Sequence, residues 1–436
     1  MACCFRIPGS GWIAILITPF GLAGCSDAPE TSPPSVADPA TRAQMLTQET
    51  LLVDTHVDTP YRLVEDGKQD LSARTASGHF DYPRARQGGL DAPFMSIYVP
   101  PAYQEKGGAT EFADALIDMV EGFAEQWPEQ FAMAYSTEDV ERNFAAGVVS
   151  LPMGLENAAP IETLDDLRHF YARGIRYITL VHGENNQICD SSYADDRKWN
   201  GLSPYGEEVV REMNRLGIMV DVSHVSDAAF YQVLEVTAVP VIASHSSCRR
   251  FTPDWERNMS DEMIVALSRN GGAIQINFGS AFLDAAANEA STAWWDEYDA
   301  FLEKNGLSVD SEEAKAKETE LRDAHPVPPV PLARVADHID HVVELVGVDH
   351  VGIGSDYDGV RALPEGLEDV SRYPALVEEL LQRGYSDDDI RKILSGNLMR
   401  VWRAVEAHAA GQPRTGGVGD VVELLISSRA WSADGV

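Results

Sequence analysis

Eight short β-rich apolar runs separated by stretches of helical periodicity constrain this chain more than any other feature. They cover residues 51–58, 92–99, 148–156, 175–182, 218–224, 239–245, 273–278 and 351–356. Helical segments such as 111–126 and 206–216 lie between them. A parallel strand needs a crossover connection, so this alternation predicts βα units that close into a (β/α)8 barrel of the TIM type. A doubly wound open sheet is the alternative. At 436 residues one elaborated barrel domain, 46–436, accounts for most of the chain. Residues 280–332, before the eighth run, are too long for a connection. With their acidic helical portion at 312–322 and the break His325-Pro326-Val327-Pro328-Pro329, they predict a helical insertion over or beside the barrel mouth.

Barrel enzymes build their sites at the C-terminal ends of the strands, so the residues that close each run are the informative ones. The first closes with His56-Val57-Asp58, whose two polar side chains share one side of an extended chain. Glu156 closes the third, where an unpaired carboxylate after apolar residues would be costly. His224 and His245 close the fifth and sixth. Mixed imidazole and carboxylate ligands suit zinc, and five of them exceed the needs of one tetrahedral catalytic ion. Two zinc ions per chain are expected, with Glu156 as the bridge between the His56/Asp58 and His224/His245 pairs and a shared hydroxide as nucleophile. Asp54 and Asp221 stand upstream of ligands, where they could fix an imidazole tautomer or equally cap local backbone.

Three further groups share the rim. His182 closes the fourth run and could donate to an oxyanion, and Asp356, in the eighth, could carry a proton from water to a leaving amine. Arg257, after the sixth run, could bind a carboxylate bidentately. His79, His169, His325, His338, His341, His350 and His408 fall in helices, loops or strand starts and read as structural.

The formal charge of −35 repels nucleic acid and anionic membranes. Residues 1–24 read as a signal peptide, with a short apolar stretch behind Arg6. Leu22-Ala23-Gly24-Cys25 resembles the bacterial lipobox, and Ser26 resembles lipoproteins sent to the outer membrane. The expected product is an exported lipoprotein, anchored through diacylated Cys25 on the periplasmic side of the envelope and followed by a flexible spacer over 25–45. Cys3 and Cys4 leave with the leader. Cys189 and Cys248 remain, compatible with one bridge or two thiols.

The segments Val53-Asp54-Thr55-His56-Val57-Asp58, Gly154-Leu155-Glu156-Asn157, Asp221-Val222-Ser223-His224, Ser244-His245-Ser246-Ser247, Arg257-Asn258 and Gly354-Ser355-Asp356-Tyr357-Asp358-Gly359 resemble the membrane dipeptidase family. The resemblance runs from about residue 50 to Gly396-Asn397-Leu398-Met399-Arg400. It implies hydrolysis of dipeptides, often with a D residue at the C-terminal position, by two zinc ions on His56, Asp58, Glu156, His224 and His245. It also implies substrate and proton roles for His182, Arg257 and Asp356. The expected partners are small dipeptides, with membrane contact only through the lipid, and a homodimer is compatible with the chain. The insertion is longer than the family leads one to expect, and the cysteines of mammalian members are absent near His182. Other amidohydrolase-type barrels, acting on a cyclic amide or lactone, commonly bridge their metals with a carbamylated lysine, and no lysine closes a run here. A non-catalytic surface lipoprotein is the remaining alternative, disfavoured by the complete ligand set.

Overall fold

The computed structural model describes residues 38–307 and 311–412. Its strands are β1 (Val53–Val57), β2 (Ala92–Tyr98), β3 (Phe131–Met133), β4 (Val149–Leu151), β5 (Met153–Glu156), β6 (Ile175–Thr179), β7 (Met219–Asp221), β8 (Ile242–Ser246), β9 (Ala273–Ile276) and β10 (Val351–Ile353). Eight of them form one parallel sheet in the order β1-β2-β5-β6-β7-β8-β9-β10. The two ends of the sheet meet where the Asp356 amide donates to the His56 carbonyl at 3.1 Å and the Asp58 amide to the Tyr357 carbonyl at 2.8 Å. The result is a nearly closed barrel with helices between its strands, and the open doubly wound alternative falls away. Both faces of the strands are covered, which is why they read as continuous apolar runs and not as alternating ones.

Two expectations need correction. The run at 148–156 is two strands, because Pro152 has no N–H to give a ladder. Before it, β4 pairs with β3 outside the barrel; after it, β5 pairs with β2 and β6. The spacer expected over 25–45 also ends early. A helix, Pro39–Glu49, starts with the Asp38 side chain accepting from the Thr41 amide and Pro39 in the first turn. It buries Ala43, Leu46 and Thr47, so residues 38–45 belong to the folded domain and not to a spacer. An Asp-Pro pair that looks like spacer composition is here an N-cap and its first helical residue. The signal peptide expected over 1–24 and the lipidation expected at Cys25 lie outside the described residues.

The bottom of the barrel is stoppered by the helix Asn397–Ala410. Its Trp402 is fully buried with the ring centroid 5.2 Å from Phe94, and Phe94 in turn lies 5.4 Å from Tyr177. This apolar stack fills one end and leaves the other for polar chemistry. The insertion folds as helices Ser280–Leu283, Ala285–Asn305 and Glu312–Ala324, with a small core of its own in Trp294, Tyr298, Ala314 and Leu321.

Gly154 in β5 makes room for Tyr177, since a Cβ there would stand 2.0 Å from the tyrosine ring. Gly154→Ala should destabilise the fold by about 1–3 kcal/mol, the usual cost of overpacking a filled core. Urea unfolding measures it, and an unchanged midpoint would mean that the ring is not confined as described.

Candidate metal centre

The strand ends deliver one constellation. His56 lies within β1 and Asp58 just beyond it; Glu156 is the last residue of β5, and His245 lies within β8. His182, His224 and Asp356 follow β6, β7 and β10 by a few residues. All but His182 are buried. Of the described residues other than glycine, Asn157, His224, Asp356 and Asp358 are among the few with positive φ, at 70°, 68°, 63° and 70°. For a residue with a Cβ this backbone costs about 1 kcal/mol or more, and such positions gather at functional sites. Here they follow β5, β7 and β10, where the chain leaves the strand at the site.

Glu156 divides the constellation. Its Oε2 lies 3.2 Å from His56 Nε2 and accepts from the Ser96 hydroxyl at 2.9 Å. Its Oε1 lies 3.3 Å from His224 Nε2, 3.4 Å from His245 Nε2 and 3.6 Å from His182 Nε2. Asp58 Oδ2 stands 3.3 Å from His56 Nε2 on the first side. Asp356 joins that side, where its carboxylate accepts from the Asn277 amide at 2.7 Å. The backbone of Gly359 passes so close that a Cβ would meet Asp58 Oδ2 at 2.2 Å and Asp356 Oδ1 at 2.3 Å.

A second layer sets the imidazoles. The Ser244 hydroxyl donates to Asp221 Oδ2 at 2.6 Å and its oxygen lies 2.7 Å from His245 Nδ1. With its only proton given to the carboxylate, that oxygen accepts from Nδ1–H, which leaves His245 Nε2 as a bare lone pair aimed at Glu156. His56 Nδ1 lies 2.8 Å from the Tyr177 hydroxyl, which can fix the same tautomer. Asp221 therefore reaches an imidazole through one hydroxyl. Asp54 reaches none: it accepts from the amides of His56 and Ser355 and from the Tyr373 hydroxyl, tying β1 to β10.

The electrostatics call for a cation. Burial, and after it Arg257 for His224 and His56 for His245, hold both imidazoles well below their ordinary range, so both are neutral. Burial opposes charge on Glu156 as well, but the surrounding imidazoles outweigh it and keep the carboxylate ionised. Burial and the neighbouring Asp58 push Asp356 well above the ordinary carboxylate range. Burial likewise opposes charge on His56, yet the Tyr177 phenol, Glu156 and Asp58 prevail and raise its proton affinity far above normal. His56 Nε2 and Asp58 Oδ1 are buried without hydrogen-bond partners. Orphaned donors of electron pairs around buried carboxylates fit metal ions, and three overlapping groups could hold them: His56, Glu156 and His245; Glu156, His182 and His224; His56, Asp58 and Asp356.

Every rim residue picked from the sequence is thus brought together. Arg257 sits differently from expectation: it is 2% exposed, behind the imidazoles, with Nη2 donating to the His245 carbonyl at 2.8 Å and lying 3.0 Å from His224 Nε2. Its Nη1 donates to the Ser246 hydroxyl at 2.8 Å, and its Nε has no hydrogen-bond partner. Of the histidines read as structural, His338 accepts from the Cys248 amide and pairs with the Leu283 carbonyl, and burial pushes it down to about 3. His325 instead lines the site cavity. Cys189 and Cys248 are both free and buried. Sequence reasoning passed over Tyr177 and Asn277. Asn277 is the next-to-last residue of the seventh run, close to the strand end where the rule looks, whereas Tyr177 depends on space vacated by Gly154.

The site opens into a cavity of about 610 Å³ whose floor includes Asp58, Glu156, His182, His224, His245 and Asp356. A sequence model of the membrane dipeptidases, peptidase family M19, matches residues 40–415. The chain is 35% identical over 348 residues to the dipeptidase tcpJ of Claviceps purpurea, spanning 77% of this chain and 71% of that protein. It is 33% identical over 393 residues to the dipeptidase verJ of Clonostachys rogersoniana, spanning 87% and 90%. The solved structure of the probable dipeptidase PvdM from Pseudomonas aeruginosa matches with a TM-score of 0.74 at 28% identity, covering 85% of this chain and 99% of that one. The family's pattern therefore runs through the whole barrel, and the chain belongs to the membrane dipeptidases, the metallopeptidase family M19.

Proposed function

We propose that this chain hydrolyses dipeptides with two zinc ions, one on His56 and Asp58, the other on His224 and His245, and both on Glu156. The observation that carries this reading is the division of Glu156, whose two oxygens face separate imidazole sets. Zinc bound there supplies Lewis-acid activation of a water and of the scissile carbonyl. The chain's own groups do the rest. Asp356, beside Asp58 and held by the Asn277 side-chain amide, takes a proton from the water and returns it to the leaving amine. His182, the least enclosed imidazole, donates to the carbonyl oxygen as charge develops there. Once His224 Nε2 serves as a ligand it no longer accepts from Arg257, so Nη2 and the unpartnered Nε are left to hold the substrate's carboxylate. Tolerance of a D residue at the C-terminal position belongs to the same reading. We also propose a tether through diacylated Cys25 at the outer membrane, facing the periplasm.

Protein purified without chelator should carry two zinc ions per chain, and Glu156→Ala should lose both metal and activity on a panel of L,L and L,D dipeptides. Metal-free active protein would overturn the mechanism. Ser244→Ala should weaken zinc retention by about 10- to 100-fold, the usual effect of removing a partner that orients a ligand. Competition with a zinc indicator measures it, and unchanged affinity would remove the Asp221 relay from metal binding. Arg257→Ala should weaken turnover of dipeptides with a free carboxylate by about 10- to 100-fold, as expected for a lost charge-assisted pair. An equal loss on amidated dipeptides would count against that role. In cell fractionation, Cys25→Ser should move the protein from membrane to soluble fractions, and an unmoved protein would refute the tether.

A further inference from the structure

Above its imidazole and carboxylate floor the cavity is walled by aromatic side chains. Most are fully engaged: Tyr61 and Tyr98 pack edge to face at 4.9 Å, and Trp294, 3% exposed, stacks on Tyr298 at 5.1 Å. Two are not covered. Among the described residues the exposed large hydrophobic side chains are Met45, Val64, Tyr193, Tyr231 and Trp295, and of these Tyr193 and Trp295 line the cavity, at 43% and 45% exposure. Apolar surface left uncovered beside a substrate cavity marks a place for a ligand.

Trp295 is also held firmly for a residue so exposed. It stands on the insertion helix Ala285–Asn305, next to Trp294, which anchors the insertion's separate small core. The guanidinium of Arg361 lies 3.3 Å from the Trp294 ring centroid and 4.3 Å from that of Trp295. Its Nη2 pairs with Glu318 on the insertion helix Glu312–Ala324 at 3.2 Å. Arg361 follows Asp356 by one short loop, so it straps the insertion to the strand end that carries the proton-transfer carboxylate. The indole is thereby fixed relative to the reacting centre.

We propose that Trp295 is a specificity-determining residue which, with Tyr193, receives a large apolar or aromatic side chain of the dipeptide, and that Arg361 is the positioning residue that holds it. This rests on the dipeptidase reading above. Groups on the cavity floor and behind it grip features common to every dipeptide, whereas the wall meets only what varies. A cavity of about 610 Å³ leaves room for a bulky side chain beside the backbone of the substrate.

The test is kcat/KM of the zinc-loaded enzyme on dipeptides that share one residue and carry Gly, Ala, Leu, Phe or Trp at the other, for each position in turn. The parent should prefer the bulky side chains at one position. Trp295→Ala should reduce that preference, measured as the ratio of bulky to Gly substrate, by about 10-fold or more, within the range hydrophobic contacts can discriminate. Trp295→Phe should retain most of it. Arg361→Met should lower the same ratio through KM at unchanged zinc content. Equal losses on all substrates, or an unchanged ratio in Trp295→Ala, would overturn the proposal. So would a parent that cleaves Gly and bulky dipeptides alike while remaining a dipeptidase. A parent that cleaves no dipeptide at all would overturn the reading beneath it.

Discussion

A carboxylate buried among imidazoles sets the terms for the rest of this molecule. Glu156 ends an apolar strand at 3% exposure, where an isolated anion would be driven to take up a proton. It stays charged because His56, His224 and His245 converge on it from three other strands. None of those strands could be absent or shifted by one residue without turning an imidazole away from it, since a one-residue slip reverses every side chain. The nearly closed barrel is thus the frame that a divided carboxylate requires, with imidazoles drawn from around a ring.

The opposite end of the barrel supports this arrangement. Trp402, Phe94 and Tyr177 form a column of aromatic rings from the C-terminal helix to the underside of His56. Close packing leaves such a column few alternative positions, and the hydroxyl at its top inherits that rigidity. The orientation of a ligand at the mouth is therefore fixed in part by apolar packing at the floor. On the other flank, Asp221 spends its oxygens on the amides of Ser223 and Ser244 and the hydroxyls of Thr179 and Ser244, fixing His245 through a polar network instead. One imidazole rests on packing and the other on charge.

Much of this was legible in the sequence because barrel chemistry is written at strand ends. His56, Asp58, Glu156, His182, His224, His245 and Asp356 each follow an apolar run, so residue type and position coincided. What escaped notice depends on three dimensions or on local backbone chemistry. Tyr177 lies inside a strand and acquires its role from a glycine on the neighbouring one. The break at Pro152 was masked because two apolar segments abut. The helix from Pro39 was hidden in a composition typical of linkers, although the Asp-Pro pair at its start was a cap signal in plain view. Arg257 follows the sixth run as the sequence has it but lies buried behind the imidazoles, a depth that spacing does not report. The insertion was visible as an excess of length, yet nothing in its acidic, helical composition revealed that it would present an indole to the cavity.

That insertion is packed around Trp294, Tyr298, Ala314 and Leu321 and joined to the cavity rim through Arg361. The main core takes in Leu283, Ala287 and Val330 from the two ends of the insertion, but none of these four residues. Substitutions among those four residues are therefore weighed chiefly against a small local stability, and those at the insertion's ends against the barrel core. Such a partition lets a lineage retune what it recognises while the metal-binding ring remains as it is, and it makes the segment a natural unit for exchange between relatives.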